Sequence, residues 1–306
     1  MPAEKMPKAI YKRLEKEGCK GKIVCIEHVN ELQKELEAHH QNGLLDEDLY
    51  DEYLNRFDFN VLDDYPDARS LIIVTAPQPQ VRVTFKWNGQ SFPCVIPPTY
   101  SLATDHQLKD CLEDILKPEG YHLEKKRLPE KLLAAHSGLA RYGKNNITYV
   151  PGMGSFHRLA VFVTDLPCLE DNWVILKTLK SCEECTACMD TCPTGAIVSD
   201  RFLVHAERCI TFHNERRPEF PQWLDPVWHN CLVGCMYCQN ACPMNKKFVN
   251  WIEDGMAFSE EETAYLLKGL SKDDIPNTTI DKLEKLGMME YVNVLGRNLK
   301  VLIENQ

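Results

Sequence analysis

The chain has no long hydrophobic run. No stretch of its 306 residues approaches 18 consecutive apolar positions, so no membrane-spanning helix is expected. The opening MPAEKMPKAIYKRLEKEGCK lacks the apolar core of a signal peptide, and a cytoplasmic protein with no membrane partner is expected. Basic charge is also short. There are 35 Lys and Arg against 45 Asp and Glu, a formal net charge of −10, which disfavours a surface built mainly for phosphate backbones. Glycine and proline number only 15 and 18 while 44% of residues are apolar, so the chain can bury a full core and disorder is not the default.

Cysteine, by contrast, is abundant: there are 14. In a chain without an export signal the thiols stay reduced, and crowded thiols there bind metal or carry redox chemistry rather than form disulfides.

Residues 1–60 read as amphipathic helices around a short strand at Lys22–Ile26, with the acidic run Asp46–Asp51 as a solvated helix face. A buried strand is expected at Arg69–Ala76. Val81, Val83, Phe85 and Trp87 then alternate up to Asn88-Gly89, a pair that tolerates the positive φ of a tight hairpin turn, and a return strand runs to about Ile96. Helices near Leu102–Leu116 and Pro129–Leu139 and strands near Tyr121–Glu124 and Arg158–Thr164 continue the alternation. The last fifty residues read as helical, with apolar spacing of three and four over Glu260–Leu270 and Tyr291–Ile303. Three segments follow from this: an α/β (α+β) domain over 1–174, a cysteine-dense module over 175–250, and a helical tail over 251–306 that packs on the body.

The run Cys182-Glu-Glu-Cys185-Thr-Ala-Cys188-Met-Asp-Thr-Cys192-Pro193 is C-x2-C-x2-C-x3-C-P. Three thiolates at that spacing wrap one cubane and the fourth reaches a second, as in bacterial ferredoxins carrying two [4Fe–4S] clusters. A looser set follows: Cys209, Cys231, Cys235, Cys238 and Cys242-Pro243. Exchange of the last cysteines between motifs assigns Cys182, Cys185, Cys188 and Cys242 to one cluster and Cys192, Cys235 and Cys238 to the other, with Cys209 and Cys231 competing for the eighth place. Gly195 lets the backbone turn close to the inorganic sulfides. Two interlocked halves are poorly explained by zinc knuckles. Cys19, Cys25, Cys94, Cys111 and Cys168 read as ordinary small residues, Cys168 standing nearest the clusters.

A ferredoxin-like double-cluster module needs only about 60 residues, so the preceding α/β segment is expected to bind a substrate or cofactor, or to dock a partner. The joining segment, His136 to Asn146 and Gly154 to Asp165, has the glycines and donors of a ligand-hugging loop. Gly138-Leu-Ala-Arg-Tyr-Gly143-Lys-Asn145, Gly154-Ser-Phe-His-Arg-Leu, Cys182 to Ile197, Arg208-Cys209-Ile-Thr-Phe and Gly234-Cys235-Met-Tyr-Cys238-Gln-Asn-Ala-Cys242-Pro-Met-Asn245 follow one another in order. Over about residues 65–250 the chain resembles the cobalamin-dependent epoxyqueuosine reductases, which are distantly like reductive dehalogenases. The resemblance gives the eighth ligand place to Cys209 and leaves Cys231 as an extra thiol.

It also implies a corrinoid between the α/β domain and the cluster module, with Tyr142, Lys144, Asn145 and Ser155 near it. No Asp lies two residues before any of the ten His, so D-x-H-x-x-G is absent and the cobalamin would be bound base-off. The implied activity is a two-electron reductive cleavage, fed by an external low-potential donor of ferredoxin or flavodoxin type, on a small molecule or modified nucleoside not named by the sequence. Glu124 falls at the family's proton-donating Asp and Glu130 at its following Glu. Beside Lys125, Lys126 and Arg127, Glu124 is expected to have a depressed pKa. The family's helical-repeat extension is missing or reduced to the last fifty residues, and with the acidic charge a tRNA substrate is not favoured. The other readings are an electron-transfer protein without catalysis of its own, and a true epoxyqueuosine reductase of tRNA queuosine biosynthesis.

Overall fold

Apolar positions of period two and period 3.6 build most of the elements in the computed structural model, which describes residues 2–217, 219–269 and 272–305. Leu270, the expected end of a helix, and Met1 and Gln306, the ends of the expected segments, lie outside the described residues. Nine strands occur among the described residues, in chain order β1 (Lys20–Cys25), β2 (Ser70–Pro77), β3 (Gln80–Trp87), β4 (Gln90–Ile96), β5 (Leu123–Lys125), β6 (Arg141–Tyr142), β7 (Thr148–Tyr149), β8 (His157–Thr164) and β9 (Ile252–Phe258). The chain separates into two compact units, one made of the residues up to Pro77 with Thr104–Cys185, the other of Gln78–Ala103 with the residues from Thr186 onward.

In the first unit the sheet order is β1-β2-β8-β5, with every neighbouring pair antiparallel. Strand β2 is buried on both faces, and its alternate residues feed two cores. Leu71 and Ile73 join Val24, Leu159, Val161 and Val163 on one face, under Val29 and Leu32 of the helix His28–Gln41 and Leu133 of the helix Glu130–His136. Ile72 and Val74 join Ile23, Ala160 and Phe162 on the other, under Met6, Ile10 and Leu14 of the helix Met6–Lys16 and Leu108 and Leu112 of the helix Leu102–Leu116. Each of the fully buried Val, Leu, Ile, Met and Phe side chains contributes about 1.5–3 kcal/mol. The expected strand near Tyr121–Glu124 is found as β5, which forms the sheet edge opposite β1.

In the second unit β3 and β4 form the expected hairpin, with Asn88 and Gly89 at φ 51° and 75°. A third strand pairs with it: β9 lies parallel to β3, in a stretch expected to be helical. Its sequence IEDGMAF has little apolar periodicity, and its place is set by the long-range pairing and by the stacking of Phe258 on Phe85 at 4.8 Å. The helix Glu260–Leu267 starts with a capping box in which Ser259 and Glu262 satisfy each other's backbone N–H groups. The C-terminal helix Val292–Glu304 packs Leu295, Leu299 and Leu302 onto Val83, Phe85 and Ile96 of the hairpin. No helix among the described residues is long and apolar enough to cross a membrane.

Candidate metal centre

The cysteine-rich stretch repeats itself in the backbone. The short helices Ala187–Thr191 and Tyr237–Asn240 pack together and carry Cys188 and Cys238. Their N-caps Thr186 (φ −115°, ψ −1°) and Met236 (φ −112°, ψ −2°) match, as do the cysteines that follow them, Cys192 (φ −70°, ψ 109°) and Cys242 (φ −71°, ψ 123°). Met189 N donates to Thr186 O at 2.8 Å and Asp190 N to the same oxygen at 3.0 Å; Gln239 N and Asn240 N repeat this on Met236 O at 3.1 and 2.8 Å. The two halves are offset by 50 positions (235 − 185), and 182 + 50 falls on Leu232. Leu232 is 1% exposed in the second unit's core, and its N–H is spent on Val95 O, so the second half has no first cysteine of its own.

Two thiols lie near that gap. Cys209 stands at the N-cap of the helix Ile210–Glu215, where the backbone N–H groups of Thr211 and Phe212 favour its thiolate. Burial raises its pKa, those donors oppose the rise, and Cys192 adds to it. Cys235 is pushed up to about 11, first by burial, then by Cys209 and Cys192, against Asn230 and the Tyr237 N–H. Cys192, Cys209 and Cys235 therefore lie close enough to act on one another's charge. Cys231 is 1% exposed, its pKa pushed far up by burial, and its S–H donates to Asn230 Oδ1 at 3.0 Å. That same oxygen accepts Met236 N at 2.9 Å, and Asn230 Nδ2 donates to Cys235 Sγ at 3.3 Å. The sequence did not point to Asn230. Its signal was position, five residues before a ligand-type cysteine, and that pattern is too common to read.

The donor chemistry fits cubanes: soft thiols at motif spacing, a side-chain amide donating to the Cys235 sulfur, and a glycine whose positive φ turns the backbone just after the motif. Gly195 has φ 62°, and no protein atom lies within 4 Å of where its Cβ would stand.

In the first unit the residues before the motif hang on the small β6–β7 ladder. Tyr142 bridges to Thr178, Leu179 N donates to Tyr142 O at 2.8 Å, and Cys182 N to Leu179 O at 2.9 Å. Lys144 reaches across to donate to Glu183 O at 3.3 Å and Cys185 O at 3.0 Å. Asn145 is buried and donates to the Tyr149 hydroxyl at 2.9 Å, and a Cβ on Gly143 would stand 2.7 Å from both Asn145 Oδ1 and Tyr149 Cε2. Burial raises the pKa of Tyr142, and Ser155 is 4% exposed. The four expected residues thus share one loop system, with Asn145 bonded within it and Lys144 reaching out of it to the Glu183 and Cys185 carbonyls. His157 has Nδ1 at 3.2 Å from Gly154 O and Nε2 at 3.2 Å from Thr148 Oγ1, and burial lowers its pKa to about 4. His136 is likewise engaged at both nitrogens, by Val174 O at 2.9 Å and Glu35 at 2.8 Å. Neither imidazole is offered to a metal.

Glu124 lies on β5, its side chain 46% exposed and 3.4 Å from Lys109 Nζ. Its basic neighbours turn elsewhere: Lys125 to Asp105, and Lys126 to Asp58 and Asp64 at 2.7 and 2.5 Å. Asp105 is 2% exposed and held by Arg158 through two 2.8 Å bonds. Burial works against its charge, but Arg158 and Lys125 outweigh it and lower its pKa. Beside this group sits Glu130, whose carboxyl is raised to about 7 by burial, with Asp105 adding to the rise and Arg158 and Lys125 opposing it.

Residues 181–245 match the family model of the 4Fe-4S double cluster binding domain. The stretch holds two [4Fe–4S] clusters. An epoxyqueuosine reductase of Bacillus subtilis is 34% identical over 143 residues, 45% of this chain and 36% of that protein. One from Escherichia coli is 37% identical over 118 residues, 38% of this chain and 30% of that protein. The chain is similar to epoxyqueuosine reductases. The matched part spans about a third of the length of these relatives. The fold is shared more widely. The structure of epoxyqueuosine reductase from Streptococcus thermophilus superposes with a TM-score of 0.67 at 18% identity, covering 98% of this chain and 81% of that one. An epoxyqueuosine reductase solved with an epoxyqueuosine-modified tRNA-Tyr stem loop superposes with 0.69 at 19% identity, covering 99% and 82%.

Proposed function

We propose that this chain is an iron–sulfur reductase that converts epoxyqueuosine to queuosine in tRNA. The observation that carries this reading is the shared fold over nearly the whole chain, combined with the double-cluster module and the sequence similarity to epoxyqueuosine reductases. The tRNA substrate disfavoured by the net charge of −10 is here preferred, because a protein of this fold was solved with such a stem loop. Overall charge is a sum over the surface, and a local site is not bound by it.

In the proposed ligand sets Cys182, Cys185, Cys188 and Cys242 hold one cluster, and Cys192, Cys209, Cys235 and Cys238 the other. The mutual approach of Cys192, Cys209 and Cys235 supports Cys209 as the eighth ligand, and the bond from Cys231 to Asn230 gives Cys231 a supporting place instead. A corrinoid bound by the β6–β7 loop system is part of the proposal. The ring nitrogens of His136 and His157 are engaged within the protein, so neither imidazole would be offered to such a group. Such a group would supply the reducing chemistry for C–O bond cleavage. Lys144 positions the first cluster-binding turn through the Cys185 carbonyl. Glu130, protonated near neutral pH, is the proposed proton donor, and Glu124 on the exposed sheet edge is the weaker choice. An external low-potential ferredoxin or flavodoxin supplies the electrons.

The test is anaerobic. Protein holding eight irons, given cobalamin, a low-potential reductant and epoxyqueuosine-containing tRNA, should yield queuosine on nucleoside mass spectrometry. Failure to convert the tRNA with both clusters loaded and reducible would overturn the proposal and favour an electron carrier.

A further inference from the structure

The loop after β8 brings together a set of donors that the reductase reading does not use. Cys25 closes β1, and Cys168 and Asp171 lie in the loop that follows Thr164. The two sulfurs and a carboxylate oxygen of Asp171 all lie within 4.8 Å of one another. The loop is fastened at several points. Asn172 Nδ2 donates to Ile23 O at 3.1 Å, Lys22 Nζ to Asn172 Oδ1 at 3.4 Å, and Cys25 N to Asp171 Oδ1 at 3.3 Å. His28 Nε2 lies 2.7 Å from Asp171 Oδ2, and its ring stacks on Trp173 with centroids 3.9 Å apart and planes 6° from parallel.

We propose that Cys25, Cys168 and Asp171 bind one soft divalent cation of the zinc type, with His28 orienting the carboxylate and solvent completing the coordination.

Two thiolates on one tetrahedral zinc stand about 3.8 Å apart, from Zn–S bonds of about 2.3 Å, which the spacing of these donors allows. Thiolate selects zinc over magnesium or calcium, and a two-sulfur, one-carboxylate set is not that of a [4Fe–4S] cluster. An imidazole bonded to the outer oxygen of a ligating carboxylate fixes its orientation, and the stacking on Trp173 fixes the imidazole in turn. Cys25 and Cys168 are partly accessible and Asp171 is exposed, so an ion has a way in. Once bound it would clamp the end of β1 to the loop after β8.

The experiment uses cluster-loaded protein kept anaerobic, incubated with Zn2+, desalted and analysed for zinc and iron together. The expected result is about one zinc per chain with the eight irons unchanged, and two sulfur scatterers in zinc X-ray absorption. The Cys25→Ser/Cys168→Ser double variant should retain no zinc, and Asp171→Asn should weaken retention roughly tenfold or more with iron content unchanged. The Asp171 side chain is exposed, so this second variant keeps the test open if the double variant folds poorly. Zinc equally retained by all variants, zinc gained only as iron is lost, a four-sulfur zinc spectrum, or no zinc on the wild type would each overturn the proposal. So would mass spectrometry showing Cys25 and Cys168 joined as a disulfide in the anaerobic, reduced protein.

Discussion

Replacing Glu130 by Gln should make the protein more stable at alkaline pH and should leave it nearly unchanged in acid. The Glu130 carboxyl is raised from an ordinary value of 4.5 to about 7, chiefly by burial. An unfolded chain releases this proton near pH 4.5 and the folded one holds it to about pH 7, so the wild type loses stability as pH rises across that window. At about 1.4 kcal/mol per unit, the cost of the buried charge reaches roughly 3 kcal/mol by pH 8 and is close to zero at pH 4. Gln keeps the size of the protonated acid and carries no charge. Cluster-loaded Glu130→Gln and wild type should therefore melt together at pH 4 to 4.5 and separate by roughly 6 °C at pH 8, the variant being higher. Anaerobic scanning fluorimetry across that range reads the difference. A gap that does not change with pH, or a variant less stable at pH 8, would refute the reasoning. The same ionisation should appear in catalysis if Glu130 donates the proton: turnover should fall as pH rises above about 7, and Glu130→Gln should be slow at every pH with its iron content intact.

Cys209→Ser should retain roughly four of eight irons, whereas Cys231→Ser, whose hydroxyl can still donate to Asn230 Oδ1, should retain all eight; iron analysis and electron paramagnetic resonance separate the two. Asn298→Ala should destabilise the second unit by roughly 2–5 kcal/mol, because Asn298 Nδ2 is bonded to Asn214 O and Leu232 O at 2.8 and 2.9 Å and both carbonyls would be stranded; chemical denaturation measures it.

Much of the fold was legible because its signals are local. The alternation in Val81 to Trp87 and the Asn88-Gly89 turn state the hairpin outright, and β2 and β8 are apolar runs of strand length. Strand β9 was hidden, since IEDGMAF is held by pairing with β3 and by Phe258 on Phe85, and neither contact is local. The double-cluster module was legible because coordination chemistry enforces the spacing of its motif. Glu130 was visible only as a position matched to a related family, since its raised pKa comes first from burial, with Asp105 adding and Arg158 and Lys125 opposing, and only the folded chain brings these together. The pairing of Cys25 with Cys168 was invisible for the same reason: 143 residues separate them (168 − 25), and neither stands in a motif.

The backbone repeat of the module also carries an asymmetry that should be measurable. In the proposed assignment the cluster of Cys192, Cys209, Cys235 and Cys238 has its Cys235 sulfur bonded by Asn230 Nδ2 at 3.3 Å, and the N–H groups of Thr211 and Phe212 near Cys209 and of Tyr237 near Cys235 favour the thiolates. Donors to sulfur stabilise the extra electron of the reduced state and raise the potential. Asn230 is the one side-chain amide among these donors, and its carbonyl oxygen separately holds Met236 N and the Cys231 thiol. Asn230→Asp keeps that acceptor oxygen, removes the donor to Cys235 and adds negative charge. It should therefore lower the potential of a single cluster while the protein keeps eight irons. Redox titration followed by electron paramagnetic resonance reads this directly. Equal shifts in both clusters would remove Asn230 from its place beside one of them, and no shift would show that its amide does not act on Cys235.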